Sequence, residues 1–261
     1  MTRAAQSWTL LVFGFMYLPI AVILMFSLNA SDIMALPLRG FTMEWYDAIL
    51  HDGRLGQGFL TTLKTAFPVA ILATLFGALA ALALTVYPMR FRGLMVVMLL
   101  LPFLVPKLIL AVSQLILLKE LGLDRGLWTV IAGQSVIVLP FCTIIIASVL
   151  IRIDLRLVEA AEDLGASRFE SFRRVILPLM RNGLMASWVI AFVLSSAEYV
   201  LTAFLGGREQ PLSVLVASDF RFNLSPSLNA LAVLIVLGNI ALVVLAESIR
   251  RRSGRANRGH S

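Results

Sequence analysis

Two histidines and one cysteine are all that this chain of 261 residues holds of the side chains that most often ligate metals or form nucleophile–base pairs. His51 and His260 are far apart, and Cys142 stands in an apolar run. The chain therefore has no Cys/His cluster, no H-E-x-x-H and no Ser-His-Asp candidate, so an enzyme of those kinds lacks its parts. A lone cysteine also forms no intrachain disulfide and says nothing about redox compartment. No G-x-x-x-x-G-K-[ST] occurs, so the chain lacks the loop that cradles ATP phosphates. Charge is scarce too. Asp, Glu, Lys and Arg make up 14% of residues, against about a quarter in soluble domains. The net charge of +7 would suit nucleic acid, but the placement of the charges argues against it.

What the chain has in excess is apolar length. Apolar residues make up 59%, where soluble domains sit near about 45–50%, and the mean hydropathy is +0.91. The class this defines is an all-α integral membrane protein. Six runs reach or approach the roughly 20 residues that span a bilayer: roughly 8–28, 60–86, 94–118, 127–151, 184–205 and 229–249. The first, Trp8 to Leu28, is too long for the apolar region of a signal peptide, and Arg3 is a thin basic start, so it reads as a membrane helix. Pro68, Pro102, Pro106 and Pro140 fall inside spans. Proline is tolerated there when neighbouring helices re-satisfy the freed backbone groups, which predicts kinked helices in a bundle.

An even number of spans puts both termini on one side. Of the 22 Lys and Arg, fourteen then share the side of the termini: Arg3, Arg90, Arg92, Arg152, Arg156, Arg168, Arg173, Arg174, Arg181, Arg250, Arg251, Arg252, Arg255 and Arg258. Seven lie in the other set, and Lys107 is left inside a span. The positive-inside rule makes the richer side cytoplasmic. The basic tail after Ile249 then lies against anionic lipid headgroups, and no nucleic-acid partner is expected.

The longest cytoplasmic connection, between spans four and five, reads as a soluble hairpin. Asp154 is a candidate N-cap for a helix over Leu155–Leu164. Gly165 follows, where a helix end needs a residue that tolerates positive φ. Ser167 and Glu170 form a capping box for a second helix, whose Phe169, Phe172 and Ile176 share one face. Pro178 is expected to end or bend that helix. A connector needs only a few residues, so two capped helices with an apolar face suggest a docking element; a solvated connector remains the alternative.

Ionisable groups within spans are costly, so each is a candidate functional residue. Glu198 falls inside span five, after the small Ser195, Ser196 and Ala197. It either pairs with a cationic substrate amine or pairs internally, with Lys107 or across helices. Lys107, after Pro106, is a counter-charge in a cavity, or a stem that snorkels or pairs. Gln134 and Tyr199 join Ser195, Glu198 and Lys107 as candidate path residues; Gln114 and Gln134 suit hydrogen bonds between helices. Outside, "LGGREQPLSVL" (Leu205 to Leu215) gives a Gly-Gly corner and a half-helix.

Glu159-Ala160-Ala161, then Gly165, then Ile176-Leu177-Pro178 resembles the EAA signature of permease subunits of binding-protein-dependent ABC importers. Here the tail is one residue tighter than the usual pattern. "SLNAS" (Ser27 to Ser31), "GFTMEWY" (Gly40 to Tyr46), "RFRG" (Arg90 to Gly93), "DLGAS" (Asp163 to Ser167) and "SPSLNALA" (Ser225 to Ala232) look like the shorter subunit of spermidine/putrescine-type permeases, nearly end to end. The resemblance implies a type I importer fold over 1–261, a single permease domain with helices two to six as its core and the first helix peripheral. It implies that residues 152–181 are a coupling segment seated on a cytoplasmic ATPase, with Glu159, Ala160, Ala161, Gly165, Ala166, Arg168 and Pro178 as coupling residues. The implied setting is a bacterial inner membrane. The implied partners are two ATP-binding subunits that hold the ATP and Mg, a second and different permease chain, a periplasmic solute-binding protein and membrane lipids. No cofactor is expected on this chain itself.

The implied cargo is a small amine-bearing, polyamine-like solute. Similar subunits carry an acidic pair in a Ser-x-Asp-Asp pattern; this chain has Ala197-Glu198. Two acids suit a di- or tricationic ligand. One suits a monocation, an aminophosphonate or an amino-acid-like or opine-like zwitterion. A reading of another class is a six-span scaffold whose hairpin docks a non-ATPase protein.

Overall fold

A computed structural model of the chain describes residues 3–31, 35–87, 90–222 and 226–256. Ser225, Arg258 and His260 lie outside the described residues. The helices are α1 (Arg3–Ser27), α2 (Glu44–His51), α3 (Gly53–Thr85), α4 (Arg92–Leu104), α5 (Lys107–Glu120), α6 (Leu127–Leu150), α7 (Arg156–Asp163), α8 (Arg168–Ser171), α9 (Leu177–Ser196), α10 (Val200–Leu205), α11 (Leu212–Phe222) and α12 (Pro226–Ala256). Among the described residues, five helical stretches are long and apolar enough to cross a membrane, and six if α4 and α5 count as one span. This agrees with the six-span reading, with two corrections.

The third span is not one helix. α4 and α5 meet at a 101° bend, with Val105 extended and Pro106 as the residue before α5. Pro106 disfavours helical geometry at Val105, and it has no N–H to donate. The fifth span also differs. Its helical run starts at Arg168, well before residue 184, and ends at Ser196. Residues 197–199 are non-helical, and α10 follows. Glu198 therefore stands in a helix break and not within a helix.

Pro178 does not end its helix. The turn before it, Phe172–Ile176, is wound as a π-helix, and the Leu177 N–H donates to the Phe172 carbonyl five residues back. The extra residue in that turn relieves the clash between a proline ring and the carbonyl one α-turn earlier. α9 then continues directly.

The chain divides into two compact units. The larger, residues 59–214 and 242–261, holds the core. Ala66, Val69, Ala70 and Ala73 of α3 meet Ile131, Val138 and Cys142 of α6 and Ala191 and Phe192 of α9. Small residues let these backbones come close, as they do between membrane helices generally. A Cβ on Gly77 would lie 2.6 Å from Cys142 Cβ, and one on Gly183 would lie 3.1 Å from a Val149 methyl. Towards the hairpin between α6 and α9, Ala81 and Leu82 pack with Ile146, Leu150, Ile176 and Met180. Towards the opposite end, Ala111, Val130, Leu201 and Leu205 tie α5, α6 and α10 together.

The smaller unit, residues 1–58 and 215–241, includes α1, whose large apolar side chains stand exposed along much of its length. That exposure suits a lipid environment. After α1 the chain folds back around Asn29. Its Oδ1 accepts from the Arg39 N–H at 3.0 Å, and its carbonyl accepts from Trp45 Nε1 at 2.8 Å. Ser27 Oγ and Tyr46 Oη lie 2.7 Å apart. In the same unit Arg54 pairs with Asp219 through two hydrogen bonds, 3.0 and 2.6 Å.

Candidate functional site

Two features stand out in the larger unit. The first is the hairpin between α6 and α9. Asp154 is not the N-cap it was expected to be: α7 runs Arg156–Asp163 with Leu155 at the cap position and no side-chain cap, and Asp154 Oδ1 instead accepts from the Arg156 N–H at 3.0 Å in the turn that leads into the helix. Gly165 has φ +91° and no heavy atom near the position of a Cβ, so its need is for backbone freedom and not for space. The capping box forms as expected. Glu170 N–H donates to Ser167 Oγ at 3.3 Å, and Ser167 N–H donates to Glu170 Oε2 at 3.0 Å.

One side of the hairpin is anchored. Val158, Phe172 and Ile176 pack on the ends of α3 and α6. The other side is bare. Leu164 is 89% exposed and Phe169 69%, beside the exposed Glu159, Ala160, Gly165 and Arg168, with Ala161 and Ala166 half-buried. Phe169 thus parts from the face it was expected to share with Phe172 and Ile176. The π turn winds fewer degrees per residue, so Ile176 no longer lies above Phe169. Pro178 is exposed on the same run. Bare apolar side chains among charges, on a rigidly capped corner, suit a protein partner.

The second feature joins the two helix breaks. Lys107, the first residue of α5, donates from Nζ to Glu198 Oε2 at 2.6 Å. Glu198 Oε1 accepts from the Val200 N–H at 3.0 Å and the Leu201 N–H at 3.3 Å, so the carboxylate also caps α10. Its carbonyl accepts from Thr202 Oγ1 and Ser213 Oγ, both at 2.9 Å. Glu198 is 9% exposed and the Lys107 side chain 56%. Both face a cleft of about 130 Å³ walled by Pro102, Phe103, Val105, Phe141 and Leu194.

Gln134 and Ser195 sit beneath this pair. Ser195 Oγ donates to Gln134 Oε1, and Gln134 Nε2 donates to Thr202 Oγ1 at 2.8 Å. That buried network binds α6, α9 and α10 around the break at 197–199. Ser195 and Gln134, expected on the substrate path, do not line the cleft; they brace the residue that does. Tyr199 is half-buried beside Glu198 in the chain. The sequence reading passed over Thr202 and Ser213. A Thr four residues after Glu198 was the available sign, because its hydroxyl reaches the i−4 carbonyl.

Broken helices whose ends present charged and polar groups to a cavity are a recurrent arrangement in transporters. Residues 73–255 match the family "binding-protein-dependent transport system inner membrane component". The chain is 34% identical over 251 residues to the spermidine/putrescine transport system permease protein PotC of Escherichia coli (strain K12), covering 95% of this chain and 94% of that protein. It is 30% identical to the putrescine transport system permease protein PotI of the same strain, covering 96% and 94%. It is 29% identical to the putative 2-aminoethylphosphonate transport system permease protein PhnV of Salmonella typhimurium (strain LT2), covering 92% and 91%. Among solved structures, a bacterial alginate ABC transporter in complex with alginate pentasaccharide-bound periplasmic protein matches in fold, with TM-score 0.71 and 15% identity over 95% of this chain and 93% of that one.

The chain belongs to the family of binding-protein-dependent transport system inner membrane components. It is a multi-pass, non-catalytic permease subunit of an ABC importer with the type I permease fold. Permeases of this family work with an ATPase and a solute-binding protein.

Proposed function

We propose that this chain forms one half of the path of an importer for a small amine-bearing solute, and that its 152–181 hairpin is the lever an ATPase works. The path runs past Glu198 and Lys107, braced by Ser195, Gln134 and Tyr199. A second, different permease chain supplies the other half. A periplasmic binding protein delivers the solute, and two ATP-binding subunits clamp the hairpins of the permease pair, one of them seated here on Glu159, Ala160, Ala161, Gly165, Ala166 and Arg168, with Pro178 at the return into the membrane. Both termini lie in the cytoplasm, and residues 1–261 act as one permease domain. Relatives named for spermidine, putrescine and 2-aminoethylphosphonate have in common solutes that carry a primary amine, so polyamine-like amines and aminophosphonates are the candidate classes.

The observation that carries this reading is the hairpin itself. Its inner side is packed on α3 and α6, and its outer side exposes Leu164 and Phe169 beside Glu159 and Arg168. The test is reconstitution of this chain with its candidate partner permease, ATPase and binding protein in proteoliposomes. ATP hydrolysis stimulated by loaded binding protein, with uptake of the amine, is the expected result. A chain that co-purifies with a non-ATPase protein and stimulates no hydrolysis would make it a scaffold instead.

A further inference from the structure

We infer that Lys107 and Glu198 together form a charge-neutral subsite for a solute bearing one ammonium and one acidic group, an amino acid, aminophosphonate or kindred zwitterion, and that Lys107 selects against polyamines. The inference rests on the importer reading above and narrows its solute class.

The two partners of the ion pair are held very differently. Glu198 is fixed: nearly buried, with one carboxylate oxygen accepting two backbone N–H groups and its carbonyl held by two hydroxyls. Lys107 is movable. More than half of its side chain is exposed, and an ammonium on a four-carbon stem can swing where a capped carboxylate cannot. The free Oε2 of Glu198, the oxygen that caps nothing, is the one that receives Lys107 at 2.6 Å. The Lys107 ammonium thus sits where a solute's ammonium would sit. An incoming amine must displace it, and the displaced cation stays at the cleft on its tether.

Counting charge then decides the solute. The cleft has apolar walls, with Lys107 and Glu198 as its ionisable lining, so uncompensated charge there is expensive. A solute with one ammonium and one acid fills Glu198 with the first and takes Lys107 with the second, and nothing is left unpaired. A monoamine leaves Lys107 without a partner. A diamine adds two positive charges to a site that holds one of each sign. A cavity of about 150 Å³ takes a molecule the size of benzene, so a cleft of about 130 Å³ suits a short chain of this kind.

The test is equilibrium binding of radiolabelled 2-aminoethylphosphonate and putrescine to the purified permease–ATPase complex in nanodiscs, with no binding protein present to impose its own choice. The unmodified complex is expected to bind the zwitterion at least tenfold more tightly than the diamine. Lys107→Met should lose most of the zwitterion binding and gain putrescine, reversing the order. Lys107→Arg, which keeps the charge, should retain the native order and shows that position 107 tolerates change. Glu198→Gln should weaken both probes. Preferential putrescine binding by the unmodified complex, no binding of either probe, or an order unmoved by Lys107→Met would overturn the proposal. The same preparation, given its binding protein, reports on the importer reading separately. Stimulated ATP hydrolysis with the wrong binding order sinks the zwitterion subsite alone, and absent stimulation sinks the importer.

Discussion

Replacing Gly165 in graded steps perturbs the hairpin through its backbone alone. Its φ of +91° lies where L-residues are strained, while the space around a Cβ is open. Alanine there costs about 1–2 kcal/mol of conformational energy, which changes the population of the native corner roughly 5- to 30-fold. Asparagine tolerates the left-handed region better and should cost less. Proline cannot adopt this φ, and it also removes the Gly165 N–H that donates to the Glu162 carbonyl at 2.9 Å. Its cost is about 3 kcal/mol or more by comparison with other misplaced prolines. None of the three touches the helix core, so the amount of protein in the membrane should stay the same. Uptake and ATP hydrolysis stimulated by the binding protein should fall in the order Gly, Asn, Ala, Pro. Native uptake by Gly165→Pro, or an Asn variant as impaired as the Pro variant, would refute the reasoning.

Glu159→Lys reverses an exposed charge on the hairpin and should abolish stimulated ATP hydrolysis while leaving thermal unfolding within about 0.5 kcal/mol of native. Glu198→Gln keeps an oxygen to cap α10 but loses the charge, so uptake should drop at least about tenfold, the worth of one charge-assisted hydrogen bond, with normal membrane levels. Gln134→Leu strands the Ser195 hydroxyl, while Thr202 keeps its bond to the Glu198 carbonyl, and should destabilise the chain by about 1–3 kcal/mol, read as a lower Tm in detergent. Gly77→Val drives a side chain into Cys142 and the Thr143 backbone, so the yield of folded, monodisperse protein should collapse; a native yield would contradict the close approach of α3 and α6.

Local signals were legible wherever local chemistry decides. The Ser167–Glu170 box and the positive φ of Gly165 each need only neighbours within a few residues, and each was readable from them. The Lys107–Glu198 pair spans 91 positions, yet it was among the readings left open, because two opposite charges stranded in apolar runs have few other partners. The break at 197–199 was not legible. Ser195 to Leu201 reads as continuous helix. What holds it open is long-range: Gln134 on α6, the hydroxyl of Ser213 and the ammonium of Lys107. Pro106 was visible as a kink, but its 101° bend depends on how α5 packs against α6 and α10. The π turn before Pro178 stayed hidden for a similar reason. A proline can end a helix or be absorbed by one extra residue in the turn, and the choice made here buries Ile176 and Met180 against α3 and α6.

The central claim is that the exposed corner of the hairpin faces the cytoplasm and seats on an ATP-hydrolysing partner. Leu164→Cys tests it directly, because Leu164 is almost fully exposed and the chain's own Cys142 is buried. In inside-out vesicles the introduced thiol should react with a membrane-impermeant maleimide, and a short thiol cross-linker should join it to the ATP-binding subunit in a manner that varies with bound nucleotide. Labelling only in right-side-out vesicles, or a cross-link to no ATP-binding protein, would contradict the account.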